Sequence, residues 1–400
     1  TLSSSSAASD VYKRQSMHWT IIGGGLQGTT IALKLKNEGL KNEALTIIDP
    51  YSSLCERFNI YTQRISMPYL RSPFVHHIHP KPFHLKQYAR YHQYTSAYYG
   101  PYKRPQRDMF MHHVHDLIHQ FKLNDCHIQG KVEAINKSRG KWCIKLSTGD
   151  KMITDCVVIA NGYTQTPFIP EIFRNKANVK HIFADNYHAS LDKDTQHVVG
   201  SGISAAHLTL KLLNEHNHQL VHLWMNKAIE IHDFDADPGW LGPKKLNYLA
   251  SISSSDARMK LIEDERHSGS MPMELFLRLK KYVQSGRLVI HTSQIDDVTE
   301  SYIISAGKYF EYKHILLATG FYNQLLTQPL IKNLIQNEQA PLNQSGYPSL
   351  SNELEWLNQL FVAGGLADLE LGPFARNIMG GKESAERISK AYKRLNKKIS

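Results

Sequence analysis

The chain contains two glycine-rich segments of one kind, and each has the spacing that opens a nucleotide-binding α/β unit. The first, TIIGGGLQGTTIALKL from Thr20, has the pattern G-x-G-x-x-G. The second, VVGSGISAAHLTLKLL from Val198, has the variant G-x-G-x-x-A. In each, an apolar strand precedes the glycines and a helical segment follows, so the amino end of the helix faces a phosphate. Two such segments predict two α/β nucleotide-binding units in one chain.

In the first segment the three glycines have separate roles. Gly23 permits a tight turn, Gly25 lets the backbone approach a pyrophosphate, and Gly28 allows the helix to pack closely on the strand. Asp49 ends the next predicted strand, 21 positions past Gly28, where a ribose-binding carboxylate is expected. We predict a dinucleotide with a free ribose here. The predicted contacts are Gly23, Gly25, Leu26, Gln27, Gly28 and Asp49.

The second segment differs from the first at the position expected to contact the ribose. Counting 21 positions past Ala205 reaches Asn226, and Lys227 follows, so no acid stands there. A cation in place of a carboxylate favours a ribose 2′-phosphate, which is typical of NADP sites; the alternative is a solvated loop lysine. FAD in the first site and NADPH in the second is the economical assignment. The predicted NADP contacts are Gly200, Gly202, Ile203, Ser204, Ala205, Asn226 and Lys227.

Composition excludes several classes of protein. The formal net charge is +11, but no Lys/Arg run with interleaved aromatics marks a nucleic-acid surface, so a solvated basic surface is the simpler interpretation. No apolar run approaches the roughly 18 residues of a membrane helix, and the start lacks a secretory signal. We expect a cytoplasmic protein without membrane or nucleic-acid partners. Residues 1–16 are Ser-rich and aperiodic, and we expect a non-native or disordered tail there.

Neither the cysteines nor the histidines predict a metal site. The four cysteines are scattered, which excludes a disulfide framework, a cysteine zinc site and a dithiol pair for electron transfer. His112, His115 and His119 fall on one face of a predicted helix and could hold a metal. No nearby Cys completes such a site and Asp116 lies off that face, so we predict surface histidines and no metal.

Two further segments indicate how the units are connected. CVVIANGYTQTPFIP from Cys156 and HILLATGFYNQ from His314 are apolar strands that close in A-N-G and A-T-G, as crossings between domains do. With the two glycine-rich segments, the sequence resembles flavoprotein monooxygenases with two dinucleotide-binding domains. It is most similar to the ornithine/lysine N-hydroxylase group of siderophore biosynthesis, over nearly the whole chain after Met17.

The resemblance implies an α/β fold of two Rossmann-like, three-layer dinucleotide-binding domains. The NADPH domain, residues 166–320, is inserted into a discontinuous FAD domain formed by residues 17–165 and 321–400. The segment FVAGGLADLELGPFARNIMGGKESAERI from Phe361 then returns to the flavin. Its implied FAD contacts are Gly364 and Gly365 at a strand end, Gly372 and Pro373 at a helix opening, and Arg376 and Asn377 in the first turn of that helix. A strand and helix without a ligand is the alternative.

The same resemblance implies that the loop ISMPYLRSPFVHHIHPKPFHL lies along the flavin ring. Its candidates for ring contacts are Arg71, Ser72, His76 and His77, and the alternative is a surface loop ordered by its prolines. Two positions depart from related families. Lys313 stands where the hydroxylases usually carry an acid, and Leu366 stands where disulfide reductases place an Asp. Both departures weaken any inference of the substrate from these related families. The residues that act in catalysis stay unassigned.

The function implied is an FAD- and NADPH-dependent oxidoreductase that hydroxylates a small amine with molecular oxygen through a C4a-hydroperoxide of the flavin. One alternative is a reductase or oxidase that passes electrons to a small acceptor. The other is a non-catalytic FAD-binding regulator, against which the intact second glycine-rich segment argues. The sequence leaves open whether the protein forms a homo-oligomer.

Overall fold

The computed structural model describes residues 17–162, 166–217 and 219–399. The tail expected at residues 1–16 lies outside the described residues. Among the residues that are described, no helix is long and apolar enough to cross a membrane.

Short strands alternate with helices along most of the chain. In chain order the strands are β1 (Trp19–Ile22), β2 (Leu45–Asp49), β3 (Tyr98–Tyr99), β4 (Arg104–Pro105), β5 (His127–Gln129), β6 (Val132–Ser138), β7 (Lys141–Leu146), β8 (Lys151–Thr154), β9 (Cys156–Ile159), β10 (Val179–His181), β11 (Thr195–Val199), β12 (Val221–Trp224), β13 (Leu288–His291), β14 (Asp297–Val298), β15 (Tyr302–Ser305), β16 (Lys308–Glu311), β17 (His314–Leu317), β18 (Glu355–Leu357) and β19 (Leu360–Val362). The α-helices are α1 (Leu26–Asn37), α2 (Glu56–Arg64), α3 (His84–Tyr91), α4 (Arg107–Gln120), α5 (Ile203–Glu215), α6 (Pro243–Ser251), α7 (Ser255–Glu265), α8 (Met273–Gln284), α9 (Pro329–Asn337), α10 (Asp368–Leu371) and α11 (Ile378–Ile399).

The first glycine-rich segment follows the central strand of a six-stranded sheet with the order β18-β19-β9-β1-β2-β5. The pairs from β19 to β5 are parallel, and β18 is an antiparallel edge strand. All residues of β1 and β9 are buried, as expected when a parallel sheet is covered on both faces. Helix α1 contacts β1, β2 and the long final helix α11. Strand β19 comes from the end of the chain, so the chain returns to its first sheet.

The second glycine-rich segment lies in a five-stranded, wholly parallel sheet with the order β10-β17-β11-β12-β13. Helix α5 contacts β11 and β12, and α8 contacts β13. Every strand of this sheet falls after β9 and before β19 in the chain, so the second unit is inserted into the first. The predicted fold class, two Rossmann-like units with one inserted into the other, is confirmed.

A separate hydrophobic cluster joins the two units. Trp240, Leu249 and Ile262 of the inserted unit pack with Phe374 and Met379, which belong to the returning segment. Trp240 is 2% exposed, and its indole N–H donates to Glu265 Oε2 at 2.8 Å. The segment around Trp240 is therefore part of a core that lies between the units.

Candidate functional site

The first glycine-rich segment forms a tight turn between β1 and α1. Gly23 has a φ of +104°, and a Cβ on it would lie 2.4 Å from the carbonyl O of Ala160. A Cβ on Gly28 would lie 1.8 Å from the Gly23 carbonyl O, so only glycine lets α1 pack against this turn. Gly25 has nothing within 4 Å of its Cβ position, and Leu26 begins α1 directly after it. The N–H groups of the first helical turn thus stand at an open surface that fits a phosphate.

Asp49 ends β2 beside this turn. One of its carboxylate oxygens accepts a hydrogen bond from the Gly24 N–H at 2.7 Å, and the other accepts one from the Tyr51 N–H at 2.9 Å. These bonds fix the carboxylate at the carboxyl edge of the sheet, next to the glycine turn. Each oxygen keeps a second lone pair, so ribose hydroxyls can still donate to it.

The returning segment meets the first glycine turn through Gln27. The amide of Gln27 donates to the carbonyl oxygens of Ala375 at 2.8 Å and Asn377 at 2.9 Å. A Cβ on Gly364 would lie 3.1 Å from Gln27 Oε1, so glycine is needed for this approach. Residues separated by some 350 positions in the chain are thereby brought together, as the resemblance implied.

The predicted start of the final helix is wrong. The sequence places the helix opening at Gly372 and Pro373, but α11 begins at Ile378, so Arg376 and Asn377 precede the helix. Gly372 instead ends the short α10 with a φ of +78°, and a Cβ on it would lie 3.2 Å from the Trp240 ring. Turns closed by the N–H groups of Ala375 and Asn377 fill the interval. A glycine needed for a positive φ after a short helix resembles a helix start when only the local sequence is considered.

The four candidates for ring contacts divide between the site and the core. Arg71, Ser72 and His76 line a small recess together with Phe374 and Asn377. His77 is fully buried, and its Nε2 faces the Pro82 carbonyl O at 2.9 Å, so we assign it to the core. Burial lowers the pKa of His76 to about 4, which keeps its imidazole neutral.

The second glycine-rich segment repeats the geometry of the first. Gly200 has a φ of +154°, and a Cβ on it would lie 2.4 Å from the Ala318 carbonyl O. Ala205 occupies the place of the third glycine and is 1% exposed, because its methyl group just fits against the turn. Helix α5 begins at Ile203, immediately after Gly202. This is a second helix amino end at which a phosphate fits.

A cleft of about 1170 Å³ extends from this second turn towards the first unit. Its lining includes every predicted NADP contact except Ala205, which lies under the turn. At its inner end the lining includes Arg71, Pro373, Arg376 and Asn377, which the sequence assigns to the flavin side. The cleft therefore connects the second glycine turn with residues expected to contact FAD.

Lys227 holds a loop at the rim of this cleft. Its ammonium donates to the Ser268 carbonyl O at 2.6 Å and lies 3.2 Å from Glu230 Oε1. Asn226 Oδ1 accepts from the Ser201 hydroxyl at 2.6 Å. Both predicted residues thus lie beside the second glycine turn, and the side chain of Lys227 is 34% exposed.

A buried carboxylate behind the lining of the cleft was not predicted from the sequence. Asp368 is 0% exposed, and its oxygens accept from Arg266 at 2.9 and 3.0 Å and from Arg376 at 2.7 Å. Both arginines line the cleft, and Arg266 belongs to the inserted unit. An acid inside the apolar run GGLADLELG is the signal that marks it, since a carboxylate is rarely buried without cationic partners.

We expect Asp368→Asn to be strongly destabilising. Removing the charge leaves two guanidinium groups without their buried counter-ion, which typically costs about 3–5 kcal/mol. The more exposed pair of Arg394 and Glu353 is the control, and Glu353→Gln should cost at most about 1 kcal/mol. Urea denaturation of both variants measures this, and equal losses would contradict the role of Asp368.

The sequence profile of the pyridine nucleotide-disulphide oxidoreductase family matches residues 20–274, and the chain belongs to this family. It is an oxidoreductase that depends on FAD and a pyridine nucleotide. No curated protein sequence matches the chain.

Solved structures share the fold over nearly the whole chain. An ornithine hydroxylase from Pseudomonas aeruginosa is 17% identical with a TM-score of 0.72, over 95% of this chain and 99% of that one. A cadaverine monooxygenase from Erwinia amylovora, bound to FAD, is 13% identical with a TM-score of 0.72, over 94% of each chain. An ornithine N-hydroxylase from Kutzneria sp. 744, with reduced FAD, NADP⁺ and L-ornithine, is 14% identical with a TM-score of 0.71, over 95% of this chain and 100% of that one.

Proposed function

We propose that the protein is an FAD- and NADPH-dependent monooxygenase that hydroxylates the nitrogen of a small primary amine. The observation that carries this proposal is the cleft that leads from the second glycine turn to the returning segment. A nicotinamide that enters from the second turn along this cleft reaches Arg376 and Asn377, and the Asn377 carbonyl O accepts a hydrogen bond from Gln27 beside the first turn. The amine substrates named for the structurally similar hydroxylases support the class of substrate.

The residues of the first unit fit FAD. The open helix amino end after Gly25 suits the pyrophosphate, and Asp49 suits the adenosine ribose. From the returning segment, Gly364 and the carbonyl oxygens of Ala375 and Asn377 lie against the side chain of Gln27, next to that helix end. When bound there, FAD supplies the chemistry that passes electrons from NADPH to oxygen.

The chain itself orients the reactants and limits access of water. The second glycine turn binds the NADPH pyrophosphate, and the cluster around Trp240 and Phe374 closes one side of the recess with apolar surface. In the recess, the negative charge of Asp235 balances Arg71. His76 stays neutral at physiological pH, so it adds no charge that would repel an ammonium substrate.

The cysteines do not support disulfide reduction. Cys55 lies beside the first glycine turn, where its N–H donates to the Gly24 carbonyl O at 2.7 Å. Burial raises the pKa of its thiol to about 12, so no reactive thiolate forms there. All four cysteines are free. The electrons therefore pass to another acceptor, and oxygen is the one that the proposal names.

We place the domain limits at the two crossings. Residues 17–165 and 321–400 form the FAD domain, and residues 166–320 form the NADPH domain. Next to the first limit, the Phe168 N–H donates to the Gly320 carbonyl O at 2.8 Å, and the Tyr322 N–H donates to the Thr166 carbonyl O at 3.0 Å. The two connecting strands thus run side by side, which supports limits at these positions.

Lys227→Ala should weaken the binding of NADPH more than the binding of NADH. If Lys227 contacts the 2′-phosphate, its removal raises the KM for NADPH about tenfold and leaves the KM for NADH almost unchanged. If Lys227 only holds the Ser268 loop, both KM values rise together. Steady-state oxidation of the two nucleotides distinguishes these results.

The proposed reaction is tested by product analysis. The purified protein with FAD and NADPH is incubated with oxygen and a panel of ornithine, lysine and cadaverine, and hydroxylamine and hydrogen peroxide are quantified. We expect one amine to give hydroxylamine in near-stoichiometric ratio to the NADPH oxidised. Peroxide alone with every amine would favour an oxidase. NADPH oxidation that proceeds without oxygen uptake only after a quinone is added as electron acceptor would favour a reductase.

A further inference from the structure

Arg71 belongs to the first unit but makes its hydrogen bonds in the second. Its guanidinium donates to the backbone carbonyls of residues 232, 233, 234 and 270, to the Ser270 hydroxyl and to Asp235 Oδ1. The contact with Asp235 is 2.7 Å long, and the Arg71 side chain is 10% exposed. Burying a guanidinium is unfavourable unless its donors are satisfied, and here six acceptor atoms satisfy them.

Asp235 continues this network to the returning segment. Its second oxygen, Oδ2, accepts from the side-chain amide of Asn377 at 2.7 Å. The Asn377 carbonyl O in turn accepts from the Gln27 amide, which stands in the first turn of α1. One end of the network therefore lies at the first glycine turn.

The other end lies at the second glycine turn. Ser270, which accepts from Arg71, follows Gly269, and a Cβ on Gly202 would lie 3.3 Å from the Gly269 Cα. The loop that Arg71 holds is therefore packed directly on the backbone that would contact the NADPH pyrophosphate. Arg71, Asp235, Ser270 and Asn377 all line the cleft that leads from the second turn to the returning segment.

We propose that Arg71, Asp235 and Asn377 are positioning residues that hold the second glycine turn at a fixed distance from the first. Because the turns hold the two nucleotides, this distance sets how closely the nicotinamide approaches the flavin. Hydride transfer is sensitive to displacements of about 1 Å, so a loosened network slows it without removing either nucleotide. This inference rests on the proposed function, and it assigns Arg71 a role different from the ring contact expected from the sequence.

A second ion pair between the units provides a matched control. Arg104 of the first unit pairs with Glu274 of the inserted unit, and its side chain is 8% exposed, close to the 10% of Arg71. Neither Arg104 nor Glu274 lines the cleft. Arg104→Met therefore removes a contact between units of similar burial, and no hydrogen bond of the network is lost with it.

The test compares Arg71→Met with Arg104→Met in anaerobic stopped-flow experiments. Bound FAD, melting temperature and the limiting rate of flavin reduction at saturating NADPH are measured for each. We expect Arg71→Met to retain FAD and to lose at least tenfold in the limiting rate, while Arg104→Met stays within about twofold of the wild type. Reduction by dithionite should be equal in all three proteins.

Three results would overturn the inference. They are a wild-type reduction rate in Arg71→Met, an equal loss in both variants, or loss of FAD from Arg71→Met alone. If Arg71→Met does not fold, the Asp235→Asn variant is measured instead. This substitution preserves the shape of the side chain but removes the acceptor oxygen for either Arg71 or Asn377. An unchanged limiting rate of flavin reduction in Asp235→Asn also overturns the inference. A wild-type protein that NADPH cannot reduce would instead contradict the proposed function.

Discussion

Replacing Gly25 with alanine is expected to abolish retention of FAD in a protein that still folds. Gly25 has an extended backbone with a φ of −73°, which any residue adopts, and its Cβ position meets nothing within 4 Å. The added methyl group therefore costs the fold little. It stands where the pyrophosphate must approach α1, so we expect the affinity for FAD to fall by about 100-fold, or about 2.7 kcal/mol.

Gly242 is the matched control for this substitution. It also precedes a helix, with a φ of −113°, and its Cβ position meets only the Gly239 carbonyl O, at 3.9 Å, which is an ordinary contact distance. It lies outside both glycine turns. Gly242→Ala should bind FAD like the wild type. Flavin titration followed by fluorescence measures both affinities. Unchanged binding in Gly25→Ala would mean that the open surface at this turn is not the FAD site.

We expect the protein to lose much of its stability between pH 7 and pH 5. Burial lowers the pKa of seven histidines that are at most 8% exposed. The pKa falls to about 3 for His77 and His207, to about 4 for His76, His79, His181 and His197, and well below its usual value for His113. These values lie below the value near 6.5 of an unfolded chain, so the unfolded state binds protons first as the pH falls. The stabilisation is complete above about pH 6.5 and is lost towards pH 4. Each group contributes about 2 kcal/mol over this window, against a total stability of about 5–15 kcal/mol.

The pH dependence should become shallower when one of these histidines is removed. His207 is buried in α5, and its Nε2 has no hydrogen-bond partner among the described residues. His207→Phe should therefore reduce the loss of unfolding free energy between pH 7 and pH 5 by about 2 kcal/mol. Thr209→Val, at a buried position of α5 without a titratable group, should leave the slope unchanged. Urea denaturation at several pH values tests this, and equal slopes in all three proteins would contradict the assignment.

The glycine turns could be predicted because local sterics determine them. At Gly23, Gly28 and Gly200 a Cβ would collide with a backbone oxygen, so the spacing of the glycines alone reports the turn. Asp49 follows from the same rule, since the length of the first helix fixes where the next strand ends. The insertion of the second unit was also predicted. That prediction came from the order of the two glycine-rich segments and the two apolar strands that close in A-N-G and A-T-G, together with the resemblance to the N-hydroxylases.

The contacts between units could not be predicted from spacing. Arg71 finds its partners more than 160 positions away, and nothing around it in the sequence distinguishes those partners from a flavin ring. Asp368 was missed for a similar reason, because Arg266 lies 102 positions earlier. The start of α11 was misplaced because the packing of Trp240 on Gly372 is a tertiary contact. These residues all lie where the two units meet.

The proposed function requires that the two glycine turns hold FAD and NADPH close enough for hydride to pass from the nicotinamide to the flavin. Anaerobic stopped-flow reduction of the wild-type holoenzyme, with NADPH and separately with NADH, measures this transfer. We expect flavin absorbance to be lost in a saturable phase that is faster at low NADPH than at equal NADH. Retention of FAD without reduction by either nucleotide would show that the two turns do not act together in this way.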